Sequence, residues 1–353
     1  MSLSRSLTLI APRIGPALAR AREQRQVRWR QLALLAGRGS IRCLEADGTG
    51  HEASRQACRP FRPGALAPWQ SALLEAVGLG GAAAHFPSAA LIRTGELGEP
   101  AAGFWMHAQP LYFAAGMQHL SAMLLCEHNR LLPAERAALM PSLAAHLQSS
   151  DFELLGRQES DSEWLVRGAH AWQFMSVSPE HAVSMPLDEA MPQGRDAAML
   201  RRLMTELQML LHEHPVNAQR QARGALPVNA LWLHGEGVLD LDSLPRRTAL
   251  PLAFGRDAYL RGLYRLYGLT VAPAPMDAAS LPAPSKAGAV VVVDTDDLDT
   301  LESAWLAPLA AALVPGGISR LELVLDRWRI LVGRGARHAL WRRPLAAEQW
   351  PTC

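Results

Sequence analysis

Five consecutive residues, Ala289 to Val293, read Ala-Val-Val-Val-Val. A strand with apolar residues on both faces has no side to turn to water, so it belongs in a parallel sheet covered by helices. Its surroundings agree. Asp257 to Tyr267 (DAYLRGLYRLY) has helical apolar spacing and is closed by Gly268. Leu298–Leu313 reads as a helix. Ile318–Leu325 and Trp328–Val332, separated by Asp326-Arg327, predict a hairpin. Leu7–Ile10 reads as a first buried strand. Strand–helix alternation of this kind predicts an α/β sheet.

At 353 residues the chain exceeds the usual single core. Three parts are expected: 1–102, an N-terminal portion of the α/β core; 103–192, a small α+β lobe; and 193–353, the C-terminal α/β part. In the first, Pro68 to Val77 reads as a helix ended by Gly78–Gly81. In the lobe, Pro133 to Leu147 reads as a helix bent at Pro141. Phe152–Leu155 and Glu163–Val166 predict a β-hairpin around Glu159–Ser162. In the third, Leu200, Leu203, Met204, Leu207, Leu210 and Leu211 recur at helical spacing between Arg195 and His214, and Pro215 stops that helix.

The segment after Pro215 carries the strongest signal for a specific geometry. The chain has only three asparagines, Asn129, Asn217 and Asn229, and two of them close a Pro-Val-Asn tripeptide. Asparagine offers two donors and an acceptor on a short stem, so it suits a locked turn or a ligand contact. Between the tripeptides Arg220 and Arg223 lie three apart on a short helix and share a face. Paired guanidiniums grip a phosphate or a carboxylate bidentately. The candidate ligand-binding set is therefore Asn217, Arg220, Arg223, Asn229 and His214. The alternative is a clasp in which the asparagines bond turn backbone. His212 and His214 are two apart, so they face away from each other and cannot form a zinc pair on one helix face.

A second candidate follows the valine strand. Asp294, Asp296, Asp297 and Asp299 stand where ligands bind in open α/β sheets. They either cap the next helix or hold Mg2+ or Mn2+ through Asp294, Asp296 and Asp297. Other chemistries are excluded by the residues. Lys286 is the sole lysine and no Walker phosphate loop exists. No G-x-S-x-G nucleophile elbow occurs. A net charge of +2 gives no footprint for nucleic acid. No window reaches the apolar length of a membrane span. Cys43, Cys58, Cys126 and Cys353 form no C-x-x-C pair and have no zinc spacing, so reduced thiols in a cytoplasm are expected.

The order Leu211, His214-Pro215-Val216-Asn217, Arg220, Gly224, Asn229, Trp232, Gly235 and Gly237 resembles archaeal-type cofactor-independent phosphoglycerate mutases. Arg261-Gly262-Leu263 followed by Tyr267-Gly268-Leu269 is similar to that family's next helix. Closer still is the resemblance to the RpfE-type regulatory proteins of proteobacteria. Glu206 to His212, Leu301-Glu302, Trp305, Pro308 and the ending Trp341-Arg342-Arg343-Pro344-Leu345 carry it. The resemblance runs from about Gly103 to the C-terminus.

It implies an alkaline-phosphatase-like α/β sheet flanked by helices, with a small inserted α+β lobe, and two-metal phosphoryl transfer from a Ser or Thr nucleophile. The chain departs from that pattern. No Asp follows Leu9-Ile10, no His follows Asp297 until His338, and no nucleophile motif stands out in 40–100. Two-metal catalysis needs both ions to hold attacking and leaving oxygens. The expectation is a catalytically degenerate, cytoplasmic, regulatory or ligand-sensing protein that takes a small anionic or phosphorylated ligand and no cofactor. The rivals are an active Mn2+- or Mg2+-dependent phosphomutase or phosphatase, and a scaffold docking a protein partner through the Trp305 helix and the Trp341–Trp350 segment.

Overall fold

The computed structural model describes residues 5–24, 29–44, 66–116, 120–157, 163–247, 249–314, 317–333 and 343–350. The 159–162 turn, Cys58, Cys353, His338, Trp341-Arg342 and much of 40–100 lie outside them. In chain order the strands are β1 (Ser6–Ala11), β2 (Ser40–Cys43), β3 (Phe104–Ala115), β4 (Leu120–Leu124), β5 (Phe152–Gly156), β6 (Trp164–Gly168), β7 (Ala230–Val238), β8 (Leu252–Phe254), β9 (Ala289–Val292), β10 (Arg320–Leu325) and β11 (Trp328–Gly333). The architecture is mixed α/β, in two compact units. The first gathers the described residues within Met1–Ala57, Pro68–Ala83 and Pro245–Cys353; the second, those within Cys58–Ala67 and Ala84–Leu244.

The first unit is built on the sheet β2-β11-β10-β1-β9-β8. Its four strands from β10 to β8 are parallel, while β11 and β2 are added antiparallel. β9 is buried along its whole length and β1 from Leu7 onward, as two covered faces require. Trp305, Trp328 and Trp350 all lie within this core, the last two edge-to-face at 5.5 Å. The helix expected over Leu298–Leu313 is Leu298–Thr300, a π turn Leu301–Leu306, then Ala307–Ala312. Inside the sheet Arg329 pairs with Glu322 at 2.5 Å and also with Glu75.

The second unit is antiparallel. Along one edge β3 pairs with β6 over Phe104–Ala108 and with β4 over Leu111–Ala115; along the other it pairs with β7. The hairpin β5–β6 extends the sheet. Helix Ala197–His212 buries Leu200, Leu203, Met204, Leu207 and Leu211, the face its periodicity marks, and packs on β7. Each such side chain contributes about 1.5–3 kcal/mol.

Two expectations need correction. The helix Ala197–His212 and the twin Pro-Val-Asn segment belong to the second unit, not to a C-terminal part starting at 193, because β7 pairs with β3. The expectation of reduced thiols also fails at Cys43, which is buried and disulfide-bonded with its partner outside the described residues; Cys126 is free and exposed. No helix among the described residues is long and apolar enough to cross a membrane.

Candidate functional site

The two Pro-Val-Asn tripeptides form one device. Asn217, near the start of helix Val216–Ala222, is buried. Its Nδ2 donates to the carbonyls of Leu211 (2.7 Å) and Val228 (2.8 Å), and its Oδ1 accepts the Val228 N–H at 2.8 Å. The first tripeptide thus holds the second by its backbone. Asn229 carries the grip onward: its amide exchanges two bonds with the backbone of Phe113, at 2.7 and 2.9 Å. The third asparagine joins them, Asn129 Oδ1 accepting the Leu226 N–H at 2.8 Å. His214 Nδ1 accepts the Val216 N–H at 3.2 Å.

Arg220 and Arg223 share a face, as their spacing requires, and the carboxylate they grip is the chain's own Glu135. Arg220 is fully buried and donates to Leu226 O (2.8 Å), Asn129 O and Glu135 Oε2. Arg223 donates to Glu135 Oε1 at 2.9 Å and to the carbonyls of His128 and Arg130. Glu135 sits in the first turn of helix Pro133–Gln148 and also accepts the Leu132 N–H. Burial pushes its carboxyl upward, but Arg223, the Leu132 N–H and Arg220 together hold it below the usual range. An incoming phosphate would have to displace Glu135 to reach these donors.

At the carboxyl end of β9 the aspartates separate. Asp297 caps the helix beginning at Leu298, accepting the N–H groups of Asp299 (3.3 Å) and Thr300 (2.9 Å). Asp294 meets Arg13, which follows β1, at 3.0 Å; both side chains are more than half exposed. Asp296 is exposed and Asp299 accepts from the Trp29 indole. Among the described residues no three His, Cys, Asp or Glu side chains converge as metal ligands would. A centre built on Asp294, Asp296 and Asp297 does not fit this disposition, since one aspartate is turned onto a helix and another is neutralised by a guanidinium.

Sequence reasoning missed a buried polar cluster in the second unit. Ser88, first residue of helix Ser88–Leu97, lies 3.1 Å from His107 Nε2 on β3. His107 Nδ1 is 3.3 Å from Glu163 Oε2, off the hydrogen-bond direction. Arg157 pairs with Glu163 and, at 3.1 Å, with Glu96. The order Ser–His–Glu matches a hydrolase relay, but the place is sealed. Ser88 is 3% exposed, and a Cβ at Gly235 would lie 2.8 Å from the His107 ring. The one sequence signal was a histidine inside the apolar run Phe104-Trp105-Met106-His107-Ala108.

No family model matches the chain. The chain is similar to cofactor-independent phosphoglycerate mutases. It is 38% identical over 68 residues to the 2,3-bisphosphoglycerate-independent phosphoglycerate mutase of Methanothrix thermoacetophila, covering 19% of this chain and 17% of that one. It is 24% identical over 176 residues to the enzyme of Methanosarcina mazei, covering 45% and 43%. With that of Thermoplasma volcanium it shares 25% over 149 residues, covering 40% and 37%. The matches thus span less than half the length of these relatives. Among solved structures, the cofactor-independent phosphoglycerate mutase of Thermoplasma acidophilum aligns over 99% of this chain and 96% of its own, at 15% identity and a TM-score of 0.38. A Pyrococcus horikoshii protein aligns over 99% and 92%, at 12% identity and a TM-score of 0.44.

Proposed function

We propose that this chain is a catalytically degenerate relative of the phosphoglycerate mutases, with an alkaline-phosphatase-like first unit, acting as an RpfE-type regulatory or ligand-sensing protein. The observation that carries the reading is the Arg13–Asp294 pair at the carboxyl ends of the adjacent parallel strands β1 and β9. Ligands of open α/β sheets bind in that crevice. The resemblance implies divalent metals, whereas at this end of the sheet it is a guanidinium that supplies positive charge. A fixed cation with five donors suits holding a phosphate and lacks a metal's power to generate a nucleophile. Arg13 is half exposed, and Asp294 is the one partner it has among the described residues. The ligand is a small phosphorylated acid. The segment Asn217–Asn229 frames the second unit.

The test is the melting temperature with EDTA, with Mn2+, and with 3-phosphoglycerate. A ligand at a hundred times its Kd adds about 2.7 kcal/mol, or about 4 °C for a chain of this size. The expected result is no shift with Mn2+, a rise with 3-phosphoglycerate, and loss of that rise in Arg13→Gln. A rise with Mn2+ together with mutase turnover would instead establish an active metalloenzyme, and a flat response to every addition would leave a scaffold for protein partners.

A cytoplasmic site of action belongs to the same proposal, and the Cys43 disulfide stands against it, since structural disulfides are rare in a reducing cytosol. Maleimide labelling of cells quenched in denaturant decides: Cys43 labelled only after reductant places the protein in an oxidising compartment, and Cys43 labelled without it keeps the cytoplasmic site.

A further inference from the structure

His107 and His234 face each other across the β3–β7 pairing and stack at 4.9 Å between centroids, 25° from parallel. Both are buried. Helix Ser88–Leu97 packs across both strands and meets His107 through Ser88. Gly235, with φ +64, closes the stack from β7: a Cβ there would lie 2.8 Å from His107 Cδ2 and 3.2 Å from Ser88 Cβ. Ser88 thus ties the helix to the His107 ring, His107 is tied to His234 by the stack, and only a glycine at 235 leaves room for both the ring and Ser88.

We propose that the stacked His107–His234 pair is a proton-operated latch, holding helix Ser88–Leu97 on β3 and β7 while both rings are neutral and releasing it when either takes up a proton.

The surroundings offer an added proton little compensation, one shared carboxylate. Neither nitrogen of His234 has a hydrogen-bond partner among the described residues. Glu163, beside β6, is the one carboxylate within ion-pair reach of either ring among them, and its other oxygen is held by Arg157 beside β5. Arg157 also holds Glu96 of the helix, which lies 3.7 Å from Arg93. Glu236, two residues along β7, accepts both the N–H and the hydroxyl of Ser176. The side that helix Ala197–His212 buries is made of Ala, Leu and Met side chains. Two protonated rings stacked this closely would also repel each other.

The direction with pH follows. Burial, then the Arg157 charge, holds His107 well below the ordinary histidine value, and burial, then His107, brings His234 down to about 3. The shut latch binds fewer protons than the open one between those values and about 6.5. It is fully shut above about 6.5, and the open fraction grows by up to about tenfold per pH unit per ring as pH falls towards 3.

The experiment is amide exchange on the whole chain, corrected for intrinsic rates. Protection of 88–97 at pH 7.5 and pH 5.0 is read against helix Ala258–Leu266 of the first unit. Protection of 88–97 is expected to fall at least tenfold at pH 5.0, with 258–266 unchanged. His234→Phe keeps an aromatic partner in the stack that cannot titrate and should remove His234's share, about half of the fall on a logarithmic scale, leaving that of His107. If His234→Phe does not fold, His234→Asn takes its place with the same expectation. Equal pH dependence in the variants and the parent, or protection of 88–97 that ignores pH, overturns the latch.

Discussion

Replacing Glu135 with alanine is expected to remove about 3–5 kcal/mol of stability, the cost of leaving a buried charge without its partner. Arg220 is fully buried and Arg223 stands beside it, so deleting the carboxylate leaves two guanidiniums facing each other. Arg220 keeps its bonds to Leu226 O and Asn129 O, but those carbonyls carry no charge. The damage should spread along the clasp, because the same loop presents Asn129 to Leu226 and so to the second Pro-Val-Asn turn. Glu135→Gln should cost less, since an amide oxygen still accepts. Urea denaturation followed by far-UV circular dichroism measures the loss. A change below about 1 kcal/mol would mean that water reaches the arginines and that the clasp carries no strength. Acid adds an independent check. Glu135 titrates below its unfolded value, so its contribution is complete above that value and drains away as pH falls towards the folded one. Glu135→Ala should abolish that part of the acid dependence.

Arg329→Leu in the first unit should be as severe, again about 3–5 kcal/mol. Glu322 lies in the middle of the sheet, 6% exposed, and without Arg329 it keeps only a long 3.4 Å contact from the Thr8 hydroxyl among the described residues. The other partner of Arg329, Glu75, is half exposed and returns to water at small cost. The informative variant is the double one. Glu322→Leu with Arg329→Leu removes both charges and leaves apolar side chains in an apolar sheet, which is often neutral or better. Thermal melts of the two singles and the double should show the double recovering most of the loss of either. If it is as unstable as the singles, the pair contributes by shape and not by charge balance.

What could be read from the sequence was what short-range chemistry decides. The valine run marked β9, the leucine periodicity marked Ala197–His212, and Asp326-Arg327 marked the turn between β10 and β11. Each signal lies within a dozen residues. The spacing of Arg220 and Arg223 also showed that they share a grip. It could not show what they hold, because Glu135 lies 85 positions earlier in the chain. The division into units failed for the same reason. Nothing local says that Ala230–Val238 pairs with Phe104–Leu111, so by its sequence neighbours alone the motif reads as part of the C-terminal segment. His107 passed as one polar residue in an apolar strand, and its meaning rests on Ser88, Glu163 and His234, which come from three other stretches of chain.

The position of β1 has a consequence for how the protein is made. It lies inside its sheet, yet the strands that flank it begin at Ala289 and Arg320. At about 5–20 residues per second, a ribosome takes on the order of tens of seconds to supply them. Through that interval an apolar strand with two unpaired edges waits in the cell, the condition that invites pairing with a neighbouring chain. The second unit, complete by Leu244, is free to fold meanwhile. Synthesis rate and chaperone access should therefore govern the yield of the first unit far more than that of the second.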